Sequence, residues 1–200
     1  MEFEWFPGFS VAQKQRSVRS MHSAAQRHGL GPVLEVSTKS TVAQGTQLSA
    51  FNLRISDSTP GSISLECAFQ GSKLLERGGP FPDLFSGTPK AAKRDPRLQS
   101  YGPLIGFVFN GARWSREPKT AFYDWLYLSA VFQLQNRGQV VDKLKTYQAF
   151  TDIEFNPARS LNCQARSCAL LVALSTRGML DECMASTDVY LRAHRSLVKG

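Results

Sequence analysis

Glu66, Gln70 and Lys73 stand at i, i+4 and i+7 in the stretch Ser64-Leu65-Glu66-Cys67-Ala68-Phe69-Gln70-Gly71-Ser72-Lys73. On a helix that spacing puts all three on one face, with Leu65, Phe69 and Leu74 turned toward a core. A carboxylate and an amine seven residues apart lie roughly 10 Å apart along the axis, at about 1.5 Å rise per residue. That is too far for the usual i,i+4 ion pair. It suits two groups working on opposite sides of one small ligand. It equally describes a solvated helix face, the commoner outcome for such a pair.

A second candidate opens at Thr88-Pro89, with threonine as N-cap and proline at the first helical position. Lys90, Lys93 and Arg94, with Arg97 beyond them, crowd a helix start that itself favours anions, which makes this the best phosphate site by residue type. The helix must stop before Pro96. Gln13, Lys14, Gln15 and Arg16 can contact phosphate or simply be solvated surface. Trp125 falls with Phe122, Leu126, Ser129 and Phe132 near one face of a helix expected over Lys119 to Leu134, where aromatics are more often core than ligand platform.

The elements that position these residues follow from pattern and punctuation. A helix is expected from Val11 to His28, capped by Ser10, stopped at Gly29 and burying Val18, Met21 and Ala25. Val33 to Thr38 alternates and reads as a strand; Gly45 marks a turn; Leu48 to Ile55 is a second extended piece; Thr59-Pro60-Gly61 is a loop. The central helix is placed from Leu65 to Glu76, broken by Gly78-Gly79-Pro80. Leu104 to Phe109 is an apolar strand, followed by a glycine-containing turn and Arg113-Trp114. Helices are expected over Val140–Tyr147, over Gln164–Arg177 (apolar all round and ending at Gly178) and over Leu180–His194, with an extended acidic stretch at Thr151–Pro157 and a frayed tail to Gly200. The expected fold class is α+β, predominantly helical, with helices packed around a small β-sheet. The expected organisation is one globular unit, in which an extension at 1–47 (a basic helix and a strand) packs on a domain at 48–200.

Two hundred residues, 42% of them apolar, are enough for one domain with a real core. A net charge of +8 and a pI near 9.6 favour acidic partners: nucleic acid, nucleotides or another phosphate-bearing ligand. No apolar run approaches the length of a transmembrane helix, and Met-Glu-Phe-Glu-Trp lacks the basic and apolar regions of a signal peptide, so a cytoplasmic location is the default. Cys67, Cys163, Cys168 and Cys183 form no C-x-x-C pair or zinc spacing, and His22, His28 and His194 do not cluster with them. The cysteines read as reduced, mostly buried side chains; neither metal nor cofactor is expected.

Three of these segments, taken in order, resemble the NADAR family, the YbiA-like N-glycosidases that act on ADP-ribose and related nucleotides. Ser49-Ala50-Phe51 stands where the family has Ser-Asn-Phe. Glu66 to Lys73 is similar to its Glu-His-Tyr/Ala-Phe/Tyr-Gln-x-x-Lys helix, and Thr88 to Arg97 to its Ser-Pro-x-x-Ala-x segment ending in arginine. Trp125 is the counterpart of the family's functional tryptophan, and the likeness covers roughly residues 48 to 135. The chain departs from the pattern at Cys67, in place of histidine, and at Ala50, in place of asparagine. The late acidic and Trp-Gly signature is replaced by Phe150 to Pro157 and Asn162 to Ser167, where Asp152 is taken as the late functional aspartate and Glu154 as second choice. As a whole the chain is most similar to the branch found as antitoxins beside DarT-type DNA ADP-ribosyltransferases.

That resemblance implies removal of ADP-ribose from modified guanine in DNA, in functional pairing with a toxin and with no membrane involved. Glu66, Lys73 and Asp152 are implied as catalytic, and Ser49, Phe51, Gln70, Lys93, Arg94, Arg97, Trp125, Glu154 and Asn156 as substrate-binding. Cleavage of an N-glycosidic bond needs a carboxylate near the sugar and a proton donor near the base. The Lys73 amine can also attack the anomeric carbon and form a ring-opened Schiff base, provided burial or the cations Lys93, Arg94 and Arg97 keep it neutral. Those cations can hold the pyrophosphate, and Trp125 can stack on a base. The alternatives are an N-glycosidase acting on phosphorylated riboflavin-pathway intermediates, a non-catalytic antitoxin that binds ADP-ribosylated DNA or blocks a toxin, and a basic nucleic-acid-binding protein. A DNA substrate predicts binding that falls steeply with salt.

Overall fold

A computed structural model describes residues 1–56, 61–158 and 160–198. The chain runs α1 (Val11–Arg27), β1 (Val33–Glu35), α2 (Ala43–Gln47), β2 (Arg54–Ser56), β3 (Ser62–Ser64), α3 (Leu65–Gly71) and β4 (Lys73–Leu75). A 3₁₀ turn at Pro82–Ser86 leads to α4 (Pro89–Lys93), α5 (Arg97–Ser100), β5 (Leu104–Phe109), β6 (Ala112–Trp114) and α6 (Ala121–Phe132). It closes with α7 (Arg137–Leu144), β7 (Ala149–Thr151), α8 (Gln164–Thr176), α9 (Leu180–Ala185) and α10 (Thr187–Leu197). Helix outweighs strand and the sheets are small, so the fold is α+β and helix-dominated. None of the described helices is long and apolar enough to cross a membrane. Contacts divide the chain into two units, one of Met1–Ser49 with Gln135–Leu180, the other of Ala50–Leu134 with Asp181–Gly200.

In the first unit β1 pairs in parallel with β7, Val33 opposite Ala149 and Glu35 opposite Thr151. Parallel strands need a long crossover, which is why partners over a hundred residues apart meet here. Ser10 caps α1 through a capping box with Gln13, and Val18, Ala24 and Ala25 are buried while Met21 is half-buried. Gly45 lies inside α2 rather than in a turn. A Cβ there would sit 2.0 Å from the Glu35 carbonyl oxygen, so glycine permits the close approach of helix to strand.

In the second unit β4, β5 and β6 form an antiparallel sheet. The β5–β6 turn is Asn110-Gly111, both at positive φ (50° and 76°), as a two-residue hairpin requires. Phe107 stacks on Phe122 of α6 at 4.5 Å between centroids, and Phe69 meets Phe107, Phe122 and Tyr123. These rings form the core under α3 and α6. The piece expected as extended over Leu48 to Ile55 is strand only from Arg54, and the expected Thr59-Pro60-Gly61 loop lies mostly outside the described residues. The last helix is two: Ser186 caps α10 by accepting from the Val189 N–H, which restarts the chain after α9. Tyr190 donates its hydroxyl hydrogen to the Ala121 carbonyl at 2.7 Å, and His194 Nε2, facing a carboxylate, donates to Asp124 Oδ2 at 2.9 Å.

Asp124 and His194 are each about 1% exposed, and removing one member of a buried hydrogen-bonded pair leaves the other without its partner. Asp124→Ala is expected to cost about 1–3 kcal/mol, read from the urea midpoint. An unchanged midpoint would mean that the pair contributes nothing to holding α10 on α6.

Candidate active site

The central helix ends earlier than its spacing suggests. α3 stops at Gly71, and Lys73 opens β4 instead of standing on the helix. Two forces end it there. A Cβ at position 71 would lie 2.5 Å from the Phe85 ring, and the next residues pair with β5, Lys73 opposite Phe107 and Leu74 opposite Gly106. The Ser72 carbonyl accepts from the Val108 N–H at 2.8 Å. Pairing with an apolar strand outweighs the weak helical preference of the segment. Nor is α3 a solvated face, because every residue from Leu65 to Gly71 is buried.

Glu66 lies in the first turn of α3, behind the Ser64 N-cap, 5% exposed. Gln70, one turn on and 6% exposed, donates Nε2–H to Glu66 Oε1 at 2.8 Å. The segment before the helix is tied to its start: the Glu66 N–H donates to the Ala50 carbonyl at 3.1 Å and the Leu65 N–H to the Leu53 carbonyl at 2.9 Å. Lys73 shares a sheet face with Phe107, and its Nζ lies 5.0 Å from the centre of the Phe69 ring. Burial lowers its pKa; the Glu66 carboxylate opposes that shift and Lys93 adds to it. Lys93 Nζ in turn lies 5.7 Å from the Phe51 ring. Glu66, Gln70, Lys73, Lys93 and Phe51 are therefore linked by contacts or charge within one unit.

Thr88 caps α4, accepting from the Ala91 N–H at 3.2 Å, with Pro89 at the first position as read from the sequence. Lys93 and Arg94 are exposed at its far end. Arg97 is committed otherwise: it binds Asp83 Oδ2 at 2.5 Å and Asp95 Oδ1 at 2.9 Å, and its guanidinium lies 4.7 Å from the centre of the Phe81 ring. These two carboxylates hold its pKa above the usual arginine value. Of the three expected cations, only Lys93 acts on the pKa of Lys73. Cys67, which stands where the resembling family has histidine, is fully buried and its Sγ–H points to the Gly87 carbonyl at 3.3 Å. Burial pushes its thiol up, so it serves as packing that ties α3 to the residue before the Thr88 cap.

Trp125 is half-buried, 4.9 Å from Trp114 and 6.4 Å from Phe109 between ring centroids. It lines a small cavity with Ile55, Ser56, Phe109, Phe132 and Met184 that Glu66, Gln70 and Lys73 do not line. Its observed role is aromatic packing.

The late acidic residues belong to the first unit. Asp152 accepts from Gln164 Nε2 at 3.1 Å; Glu154 pairs with Lys14 and Lys39, each at 3.9 Å; Asn156 Oδ1 accepts from the Ala158 N–H at 3.0 Å. Ser49, buried, is the last residue of that unit's N-terminal segment. Glu35, which sequence reasoning passed over, organises this region. It is 2% exposed and accepts from Ser37 Oγ at 2.5 Å, Thr151 Oγ1 at 2.6 Å and the Ile153 N–H at 2.8 Å. His22 Nε2 lies 2.9 Å from Thr151 Oγ1. The available signal was a glutamate inside the otherwise apolar Val33-Leu34-Glu35-Val36. Among the described residues no group of three His, Cys, Asp or Glu can hold a metal ion.

Burial, then the Glu35 charge, pushes Asp152 from 3.8 up to about 6. A carboxyl raised on folding favours the folded state only while it is protonated. That stability is whole below the unfolded value and is lost as pH rises through about 6. Wild type is therefore expected to lose up to roughly 3 kcal/mol relative to Asp152→Asn between pH 4 and pH 7.5, read as urea midpoints. Parallel pH profiles would contradict the raised carboxyl.

A family model described as DarT1-associated NADAR antitoxin matches residues 1–199. Comparison with curated proteins finds no match. The matched span takes in both units and every residue of the Glu66–Lys73 cluster, and on it the chain belongs to the family of DarT1-associated NADAR antitoxins.

Proposed function

We propose that this antitoxin is an N-glycosidase that removes ADP-ribose from guanine bases in DNA, reversing the modification made by a DarT-type ADP-ribosyltransferase. The observation that carries the reading is a half-buried lysine whose amine lies 5.0 Å from the centre of an aromatic ring and is shifted toward neutrality by desolvation, within electrostatic reach of a buried glutamate. Family membership supports the substrate class. The net charge of +8 favours a polymeric nucleic acid over a small metabolite.

The reaction replaces a carbon–nitrogen bond by steps that these two residues can perform. The neutral Lys73 amine attacks the anomeric carbon, forming an Nζ–C bond as the bond to the guanine nitrogen breaks. The Glu66 carboxylate takes a proton from the attacking Lys73 nitrogen and passes it to the leaving guanine nitrogen. The remaining Lys73 N–H proton passes to the ring oxygen as the carbon–oxygen bond breaks, and the ribose ring opens to a Schiff base. Water then adds to the imine carbon, Lys73 leaves as the amine, and ADP-ribose is released. Lys93 supplies positive charge near the site, both lowering the Lys73 pKa and drawing in the pyrophosphate. Asp152, proposed as a further catalytic carboxylate, and Glu154, proposed as substrate-binding, belong to the other unit.

The direct test incubates the protein with an oligonucleotide carrying ADP-ribose on guanine and measures restored DNA and free ADP-ribose. Release is expected from wild type and to fall by at least about a hundredfold in Glu66→Gln and Lys73→Met. Binding without release would make the protein a non-catalytic antitoxin. Because burial lowers the Lys73 pKa, folding carries a penalty that grows as pH falls below the ordinary lysine value. Lys73→Met is therefore expected to raise Tm by roughly 2–4 °C at pH 7 while abolishing turnover. A variant that loses both stability and activity would contradict the buried-amine reading.

A further inference from the structure

Gln70 has one half of its amide explained and one half not. Nε2 donates to Glu66 Oε1 at 2.8 Å. Turned over, the amide would set its oxygen against the carboxylate, so this bond fixes the orientation. Oε1 is then buried with no hydrogen-bond partner among the described residues. A buried amide oxygen without a donor is disfavoured, and the great majority find one. The side chain is 94% buried by the 6% exposure of its residue, and it touches the carboxylate placed at the reacting bond. A donor on the ligand fits the unfilled acceptor.

The substrate's chemistry narrows which donor. The guanine nitrogen at the reacting bond is the group that Glu66 protonates. Lys73 gives up its proton in the same step. The remaining donor close to the anomeric carbon is the hydroxyl on the neighbouring ribose carbon.

We propose that Gln70 is the specificity-determining residue of this site, its Oε1 accepting the hydroxyl on the ribose carbon next to the anomeric centre. The inference rests on the N-glycosidase reading and adds a reason for selectivity. Guanine in DNA that carries ADP-ribose has two N-glycosidic bonds, one to a ribose bearing that hydroxyl and one to a deoxyribose lacking it. An acceptor for the hydroxyl directs cleavage to the first and spares the DNA strand. A site built to hydrogen-bond a hydroxyl rejects the analogue without it far more strongly than an apolar pocket rejects an extra group. Bonds to this hydroxyl also strengthen as an oxocarbenium-like centre develops.

The test compares two oligonucleotides, one ADP-ribosylated on guanine and one in which the distal ribose of the adduct is 2-deoxy. Each catalysed rate is divided by its uncatalysed rate, because deoxyribosyl bonds are intrinsically weaker. Wild type is expected to favour the ribosyl substrate by at least roughly a hundredfold in normalised kcat/KM, and Gln70→Leu to bring the ratio below about ten. A wild-type ratio within about threefold of one, or a ratio that survives in Gln70→Leu, would overturn the proposal. The wild-type comparison needs no folded variant. If wild type releases neither product, the N-glycosidase reading fails. Calorimetry with ADP-ribose and its 2-deoxy counterpart then decides the Gln70 assignment separately: at least about tenfold weaker binding of the deoxy ligand supports it, and equal affinities overturn it.

Discussion

Holding a half-buried lysine amine within electrostatic reach of a buried carboxylate is the constraint that the second unit is arranged around. Lys73 lays its stem along the β4–β5 face and brings Nζ to the Phe69 ring, so the charged form is partly desolvated and its cation–π contact only offsets that loss. Glu66 pulls the pKa back up and Lys93 pushes it down. The three charges sit on different elements: α3, β4 and α4. Moving any of these elements changes the amine's readiness to react.

The surrounding packing can be read as what keeps those elements in register. Gly71 and Phe85 fit against each other where a side chain would collide, which lets the chain turn from helix to strand within two residues. The Phe69, Phe107 and Phe122 rings lock α3 and α6 to the sheet. Cys67 reaches the Gly87 carbonyl, joining α3 to the approach of α4. Arg97, bound by Asp83 and Asp95 over Phe81, braces the loop on the other side of α4. Its expected part in holding phosphate would compete with two carboxylates already in place.

Local signals carried much of this. The Thr88-Pro89 start, the strand Leu104–Phe109 and the Ser10 cap were all legible, because each depends on residues within a few positions of it. What failed depended on distant partners. The end of α3 is set by β5, some thirty residues later, so a reading of spacing alone carried the helix through Lys73. Gly45 looks like a turn until the Glu35 carbonyl beside it is known. Glu35 itself, a glutamate in an apolar strand, takes its meaning from Thr151 and Ile153, which lie more than a hundred residues away. Glu66 and Lys73 were found by residue type and order, and they are coupled although the one-helix geometry behind that reading is wrong. Trp125 was chosen on resemblance and lies in aromatic packing, a role that its helical spacing also allowed.

The covalent role of Lys73 is reached most directly by reduction during turnover. Borohydride added while the protein acts on guanine-ADP-ribosylated oligonucleotide would convert the imine to a stable secondary amine. Peptide mass spectrometry is then predicted to find the ADP-ribose adduct on Lys73, with none formed in Lys73→Met. Rapid release of ADP-ribose with Lys73 left unmodified would contradict a lysine nucleophile and leave Glu66 acting on water instead.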